Sequence, residues 1–327
     1  MSDRQVIFNI PAMLAVPRRF QRGVELPGLP GLARLLARSS RYTCAPGRHG
    51  LYHDAAERSL AELLAGESNP ALCLADPVLL QPGSDDLVVL GPAMVAADDA
   101  ELASIREAVN EHFAPDLALS LVDGQLLARS ALFRDLHFTP TWRAQGHGAR
   151  EALPSGAQAG KVHALLNEVQ MLLHQHAVNR QREARGQAPI SSLWFWNEQA
   201  ARNVHRDFPG PQELLGESAL LAALARELGS TQVRKPGSFE ADLVDQGSLV
   251  IELDAAVVAL DRDDIAAWQE ALQDIDSRWL QPAAAALAAG RIDAVDLYAG
   301  DGQYYRARPS DRWKLWRRRR PTLLFGE

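Results

Sequence analysis

The alternation of apolar runs with short polar, proline or glycine breaks divides the chain into recognisable elements. VIFNI (6–10) and MLAV (13–16) bracket Pro11 and predict a buried strand and its exit over residues 5–16. Pro27, Gly28, Pro30 and Gly31 predict a turn, with a short helix over Leu32–Arg38 behind it. Residues 39–50 read as a basic loop carrying Arg41, Arg48 and His49, and residues 54–66 as a helix on Leu60, Leu63 and Leu64. LCLADPVLL, QPGSDD and LVVLGP predict a hairpin. Asp98 or Asp99 then starts a helix to about Phe113, with Leu102, Ile105 and Val109 at helical spacing. LALSLV and QLLARSA flank Asp123-Gly124, a strong hairpin signal.

Residues 134–159 read as irregular. From about Ala159 the pattern turns helical: Val162, Leu165, Leu166, Val169, Leu172 and Leu173 form one apolar stripe, with His163, Asn167, Gln170 and His174 beside it. This helix is expected to run to Gly186, and ISSLWFW to enter the interior as a strand. The order strand, strand, helix, strand, strand, helix over 71–185 predicts an α+β sandwich domain. It is expected to interrupt a larger α/β domain made of 1–70 and 186–327. In that C-terminal part, residues 211–228 predict a helix and SLVIEL (248–253) a buried strand. Asp261 or Asp263 starts a helix to about Leu280, and an alanine-rich helix ends at Gly290. AVDLY and QYYRAR around AGDG predict a last hairpin, and Ser310 a capped helix, DRWKLWRRRR, docked by Trp313 and Trp316 and stopped by Pro321.

The 327 residues are 47% hydrophobic and 23% charged, ordinary for a globular chain of two domains. A net charge of −7 argues against a protein that coats nucleic acid, although residues 304–320 alone carry eight basic side chains and one acidic. Arg312, Lys314, Arg317, Arg318, Arg319 and Arg320 form a candidate basic surface. Cys44 and Cys73 stand outside any Cys/His cluster, so no structural zinc is expected. The N-terminus lacks signal-peptide order and no apolar stretch is long enough to span a membrane. A cytoplasmic protein with free thiols is the expectation.

Three blocks carry a family resemblance: LLNEVQMLLHQHAVNRQREARGQAPISSLWFW within 160–198, ADPVLLQPGSDDLVV (75–89) and LYAGDGQYYRARPSDRWKLWRR (297–318). Together they resemble the bacterial regulatory proteins of the RpfE type, which are related to the archaeal-type cofactor-independent phosphoglycerate mutases. The resemblance implies an alkaline-phosphatase-like α/β core, here reduced, with the smaller inserted domain. In the mutases it implies two metal ions held by Asp and His and a phosphorylated Ser or Thr, because paired cations activate the hydroxyl and neutralise the phosphoryl oxygens.

The chain departs from that pattern. VIFNIPAMLAV has no Asp-Gly pair, the last histidine is His205, and Ser191 and Ser192 precede a strand rather than follow an Asp-bearing one. WFWNEQ has no glycine turn after the tryptophans. The expected function is therefore a non-catalytic regulatory or scaffolding relative with no cofactor and no metal, which binds a phosphorylated small molecule or a protein partner. Arg180, Arg182 and Arg185 are candidates for phosphate contacts. His174, His176, Asn179, Trp194, Trp196, Asn197 and Glu198 complete the candidate ligand wall. Two alternatives stand beside it. One is a metal-dependent phosphotransferase with ligands relocated to Asp254, Asp261 and Asp263. The other is a nucleic-acid-binding regulator acting through the basic C-terminal helix.

Overall fold

The computed structural model of the chain describes residues 4–17, 20, 24–45, 47–56, 58–83, 86–198, 208, 210–211, 213–244, 247–314, 316–317 and 320–326. The fold is mixed α/β and divides into two compact units, one of Met1–Glu57 with Ala200–Glu327, the other Arg58–Gln199. The apolar pattern predicts these divisions at residues 70/71 and 185/186, and the first falls instead at 57/58. The second boundary moves because the tryptophan strand belongs to the sheet of the inserted unit, as described below.

The N-terminal part of the first unit holds β1 (Gln5–Asn9), β2 (Ala15–Pro17), α1 (Pro30–Leu36), β3 (Ser40–Thr43) and α2 (Gly50–Ala55). Every residue of β1 is buried, as a strand covered on both faces requires. The stretch read as a basic loop contains an edge strand, β3, and buried Arg48 pairs with Asp261 at 2.7 Å.

The second unit contains α3 (Leu60–Ala65), β4 (Leu72–Pro82), β5 (Leu87–Leu90), α4 (Pro92–Val95), α5 (Asp99–Phe113), β6 (Ala118–Val122), β7 (Gln125–Arg129), α6 (Thr141–Ala144), α7 (Ala149–Ala152), α8 (Ala159–His174), α9 (Ala177–Ala184) and β8 (Ser192–Trp196). Both predicted hairpins form, β4 with β5 and β6 with β7, all antiparallel. Asp123 and Gly124 both take positive φ, 48° and 78°, as the tight turn demands. β4 is the spine: its first half pairs β7 on one side and β8 on the other, its second half pairs β5. One core joins Leu102, Ile105 and Val109 of α5 to Val162, Leu166 and Val169 of α8 and to Leu193 and Phe195 of β8. The expected single helix over 159–185 is two. It breaks at Gln175, and the His176 side chain accepts from Val178 N–H as the cap of α9.

The chain returns to the first unit with β9 (Glu213–Leu215), α10 (Ala219–Leu228), β10 (Thr231–Val233), β11 (Ser248–Glu252), α11 (Ala255–Asp261), α12 (Ile265–Ile275), a π-helical turn over Asp276–Leu280, α13 (Gln281–Ala288), β12 (Ala294–Tyr298), β13 (Gln303–Ala307) and β14 (Leu324–Gly326). Its sheet runs β10-β9-β11-β1-β12-β13-β3, with β14 and β2 in a separate pair. The five strands from β10 to β12 are parallel, and β13 joins β12, and β3 joins β13, by antiparallel pairing. Asp264, rather than Asp261 or Asp263, caps α12 by accepting from Ala267 N–H. The expected terminal helix is only a 3-10 turn over Pro309–Trp313, and Trp313 and Trp316 are exposed rather than docked. Among the described residues no helix is long and apolar enough to cross a membrane.

Candidate functional site

In the first unit the parallel strands β11, β1 and β12 end on polar residues in register: Asn9 lies beside Glu252 on one side and Tyr298 on the other. The same row continues through Tyr304 and Tyr42. Neighbours in register share a face of the sheet, so these side chains line one edge. The carboxyl ends of parallel strands are where α/β proteins bind ligands.

Short helix α2 completes this edge. Tyr52 donates its hydroxyl proton to Glu252 Oε1, which also accepts from Asn9 Nδ2 at 3.3 Å. Two residues on, Asp54 Oδ2 accepts from Tyr298 OH at 2.9 Å. Tyr298, Tyr304 and Tyr42 stack in sequence, with centroid separations of 5.3 and 4.8 Å. Ser218, the cap of α10, lies 3.4 Å from the Tyr52 hydroxyl. Lys235 Nζ reaches the Glu252 carbonyl and Asp254 Oδ1, each at 3.3 Å. At Gly216 the backbone passes so close that a Cβ would lie 2.6 Å from Leu221 Cδ2 and 3.2 Å from Glu252 Cβ.

Glu252 is 4% exposed, and its Oε2 is buried without a hydrogen-bond partner among the described residues. Burial raises its carboxyl above the ordinary value of 4.5, against the opposing hydrogen bonds of Ser218 and Tyr52. Burial, and then the charge of Glu252, raises the Tyr52 phenol. The edge therefore offers a proton-binding carboxyl fixed by neutral donors, with Oε2 left unpartnered among the described residues.

The donor set does not fit a pair of divalent ions. Glu252 is accompanied by neutral Asn9, Tyr52 and Tyr298, and Asp54 is engaged by Tyr298. Among the described residues no three His, Cys, Asp or Glu side chains are grouped to hold a metal. The alternative ligands are also engaged or apart: Asp254 pairs with Lys235, Asp261 with Arg48, and Asp263 sits on a left-handed turn at φ 57°.

The residues singled out in 160–198 serve mainly to fasten the second unit. Asn179 Nδ2 donates to the carbonyls of Leu173 and Ile190, and its Oδ1 accepts from Ile190 N–H, all at 2.8 Å. Arg182 is buried among Glu101, Val95 O and Ala188 O. Trp194 donates to Thr139 O and Trp196 to Asp76 Oδ2. Asn197 and Glu198, which stand where a glycine turn was expected, tie down α3. Asn197 Oδ1 accepts from Ala61 N–H, Glu198 O accepts from Leu60 N–H, and Glu198 Oε1 accepts from Trp142 Nε1. Arg180 donates to Gln175 O, while Arg180, Arg185 and His174 are exposed and His176 is half-buried. These side chains do not converge on one pocket, because the buried ones are consumed by protein partners.

On the basic surface, the Arg312 guanidinium lies 5.0 Å over the Trp313 ring, Lys314 pairs with Asp311, and Arg317 donates to Ser39 O and Ser40 Oγ. Arg320 is exposed, and Arg318 and Arg319 lie outside the described residues. Asn9, Tyr52, Asp54, Glu252 and Tyr298 are not among the residues that sequence motifs single out. The available signal was a polar residue closing an otherwise apolar strand, as in VIFNI and SLVIEL.

An α/β unit with a polar carboxyl edge, interrupted after its second helix by an antiparallel α+β unit, defines the class of this protein. No family model and no curated protein sequence matches it. Among solved structures it is similar to the PH0037 protein from Pyrococcus horikoshii, at 12% identity and a TM-score of 0.49, over 94% of this chain and 88% of that one. It is also similar to the cofactor-independent phosphoglycerate mutase of Thermoplasma acidophilum, at 13% identity and a TM-score of 0.38, over 94% and 89%. The class rests on the strand order and the insertion, not on likenesses of this size.

Proposed function

We propose that the chain is a non-catalytic regulatory or scaffolding relative of the cofactor-independent phosphoglycerate mutases, and that it binds a small polar ligand at the carboxyl edge of its parallel strands. The observation that carries the ligand part is Glu252 Oε2, buried and without a hydrogen-bond partner among the described residues. A buried acceptor left unpaired costs about 1–3 kcal/mol, so a ligand that supplies the missing hydrogen bond recovers that much on binding. Tyr52 and Asn9 hold the other oxygen and aim the carboxyl. The ligand meets Glu252 through a hydroxyl or ammonium group; any phosphate it carries lies toward Lys235, away from the acid. The non-catalytic part is supported by a donor set that does not fit two metals. The regulatory part rests on the RpfE-type resemblance of the three sequence blocks.

Thermal melting of the full chain with a panel of polyols, amines and their phosphate esters, beside Glu252→Gln, tests this reading. A ligand is expected that raises the midpoint of the wild type and not of the variant. A panel without any stabilising member, or equal stabilisation of both proteins, overturns the ligand part. Interconversion of phosphoglycerates in the presence of divalent metal, abolished by Glu252→Gln, overturns the non-catalytic part.

A further inference from the structure

The first unit carries a second recess, built from different elements. A cavity of about 530 Å³ lies between α1, α13 and the chain leaving β13. That volume is within the usual range for small-molecule sites. α1 and α13 meet closely at Gly31, where a Cβ would lie 2.5 Å from Gln281 N. Further along, alanines stand where larger side chains would fill the space: Ala37, Ala284, Ala288 and Ala307 all line the recess. Buried Leu35, Leu287, Ala284 and Ala307 make an apolar floor, and exposed Ala288 stands at its mouth.

The rim has the opposite character. Arg34, Arg38, Arg308 and Arg312 stand around the opening. Among the described residues none of the four forms an ion pair: Arg38 donates to Arg312 O, and Arg312 covers the Trp313 ring. The wall holds one carboxylate, Asp311. It is buried, and it accepts from Arg308 N–H at 2.9 Å and from Lys314 Nζ, so it does not neutralise the rim.

An apolar trough under four guanidinium groups that form no ion pair among the described residues selects for a molecule with the matching halves. We infer that this recess binds a single-chain anionic amphiphile, its hydrocarbon tail on the alanine floor and its carboxylate or phosphate head among the arginines. Guanidinium groups suit such heads because they offer paired donors. Neither half suffices by itself: an apolar tail leaves the arginines unanswered, and a bare anion leaves the floor wet.

Isothermal titration calorimetry of the full chain with dodecyl phosphate and with dodecanoate, both below their micelle concentrations, tests the inference. Dodecanol and inorganic phosphate serve as the half-ligands. At least one amphiphile is expected to bind, with each half-ligand weaker by about tenfold or more. The double variant Arg34→Ala/Arg308→Ala, both at exposed positions, is expected to weaken binding by about tenfold while leaving the melting temperature in place. Ala288→Trp, at an exposed position on the mouth, is expected to block the trough. No binding of either amphiphile overturns the inference, as does binding undiminished in both variants. Inorganic phosphate binding as tightly as dodecyl phosphate overturns it too. Association with phosphatidylglycerol vesicles that Ala288→Trp leaves unchanged, without binding of the free amphiphiles, assigns the surface to membranes and also overturns it.

Discussion

Arg182 and Glu101, 81 residues apart in sequence, form an ion pair inside the inserted unit, with Nη1 2.5 Å from Oε2 and the arginine side chain 1% exposed. The same Glu101 oxygen accepts from Asp98 N–H at 3.1 Å, closing the capping box of α5. Arg182 Nε donates to Ala188 O and Nη2 to Val95 O. One guanidinium thus joins α9, the start of α5 and the approach to β8.

Arg182→Ala is therefore expected to act on stability first. Removing it strands a carboxylate and two carbonyls, and breaking a buried pair in this way costs about 3–5 kcal/mol. Arg180→Ala and Arg185→Ala, at exposed positions, are expected to stay within about 0.5 kcal/mol of wild type. Urea unfolding followed by tryptophan fluorescence separates the three. An Arg182→Ala protein as stable as wild type refutes the structural role.

Asp276 caps α1 from 245 residues away. Leu29, the residue before α1, supplies no side-chain cap. The Asp276 carboxylate instead accepts from Gly31 N–H at 3.0 Å and Leu32 N–H at 2.7 Å, and from Gln281 Nε2 at 2.9 Å. Asp276→Ala is expected to lose at least the ~1–2 kcal/mol of an N-cap and to release the Leu32 amide to hydrogen exchange, with Asp276→Asn between the two. An unchanged exchange rate at Leu32 in Asp276→Ala would falsify the capping role.

Much of this fold is legible in sequence where the pattern is local. β1, both hairpins of the inserted unit, α5 and the last hairpin follow from apolar spacing and turn residues. The short strands β3, β9 and β10 escape that reading because SRYT, ELL and TQV are three or four residues long, too short to show a period. The break between α8 and α9 escapes it because His174-Gln175-His176 holds no proline or glycine, with only His176 marking the new cap. The site divides the same way. Asn9 and Glu252 are each visible as polar ends of apolar strands. Their adjacency depends on the register of strands 243 residues apart, and the contribution of Tyr52 depends on where α2 lies. Arg182 misleads for the converse reason: an arginine near a helix end looks solvated until its distant partner is known.

Cys73 is expected to be chemically silent in the folded protein. It lies on β4 at 1% exposure, and burial raises its thiol well above the ordinary value, so almost no thiolate forms near neutral pH. Maleimide labelling followed by peptide mapping is expected to find Cys73 unmodified until denaturant is added. Rapid labelling at native conditions contradicts the packing of β4 between β7 and β8.

Glu252 gives the stability of the first unit a definite pH dependence. Its folded carboxyl is raised above 4.5 by burial, so the folded state holds this proton more tightly than the unfolded chain does. For that sign, the stabilisation is fully present below the ordinary carboxylate value and is lost as pH rises through the raised one. Tyr52, itself raised by burial, remains a donor throughout that window. Asp301 is also raised by burial and adds the same slope to any protein that retains it. Glu252→Gln removes only the Glu252 contribution, because the amide stays neutral and can still accept from Tyr52. The variant is therefore expected to gain on wild type progressively as pH climbs. Urea midpoints of both proteins from about pH 4 to about pH 8 read this directly. Parallel curves across the whole range would show that the carboxyl titrates in the folded protein as it does in the unfolded chain, and that the buried acid at the strand edge is not held in its protonated form.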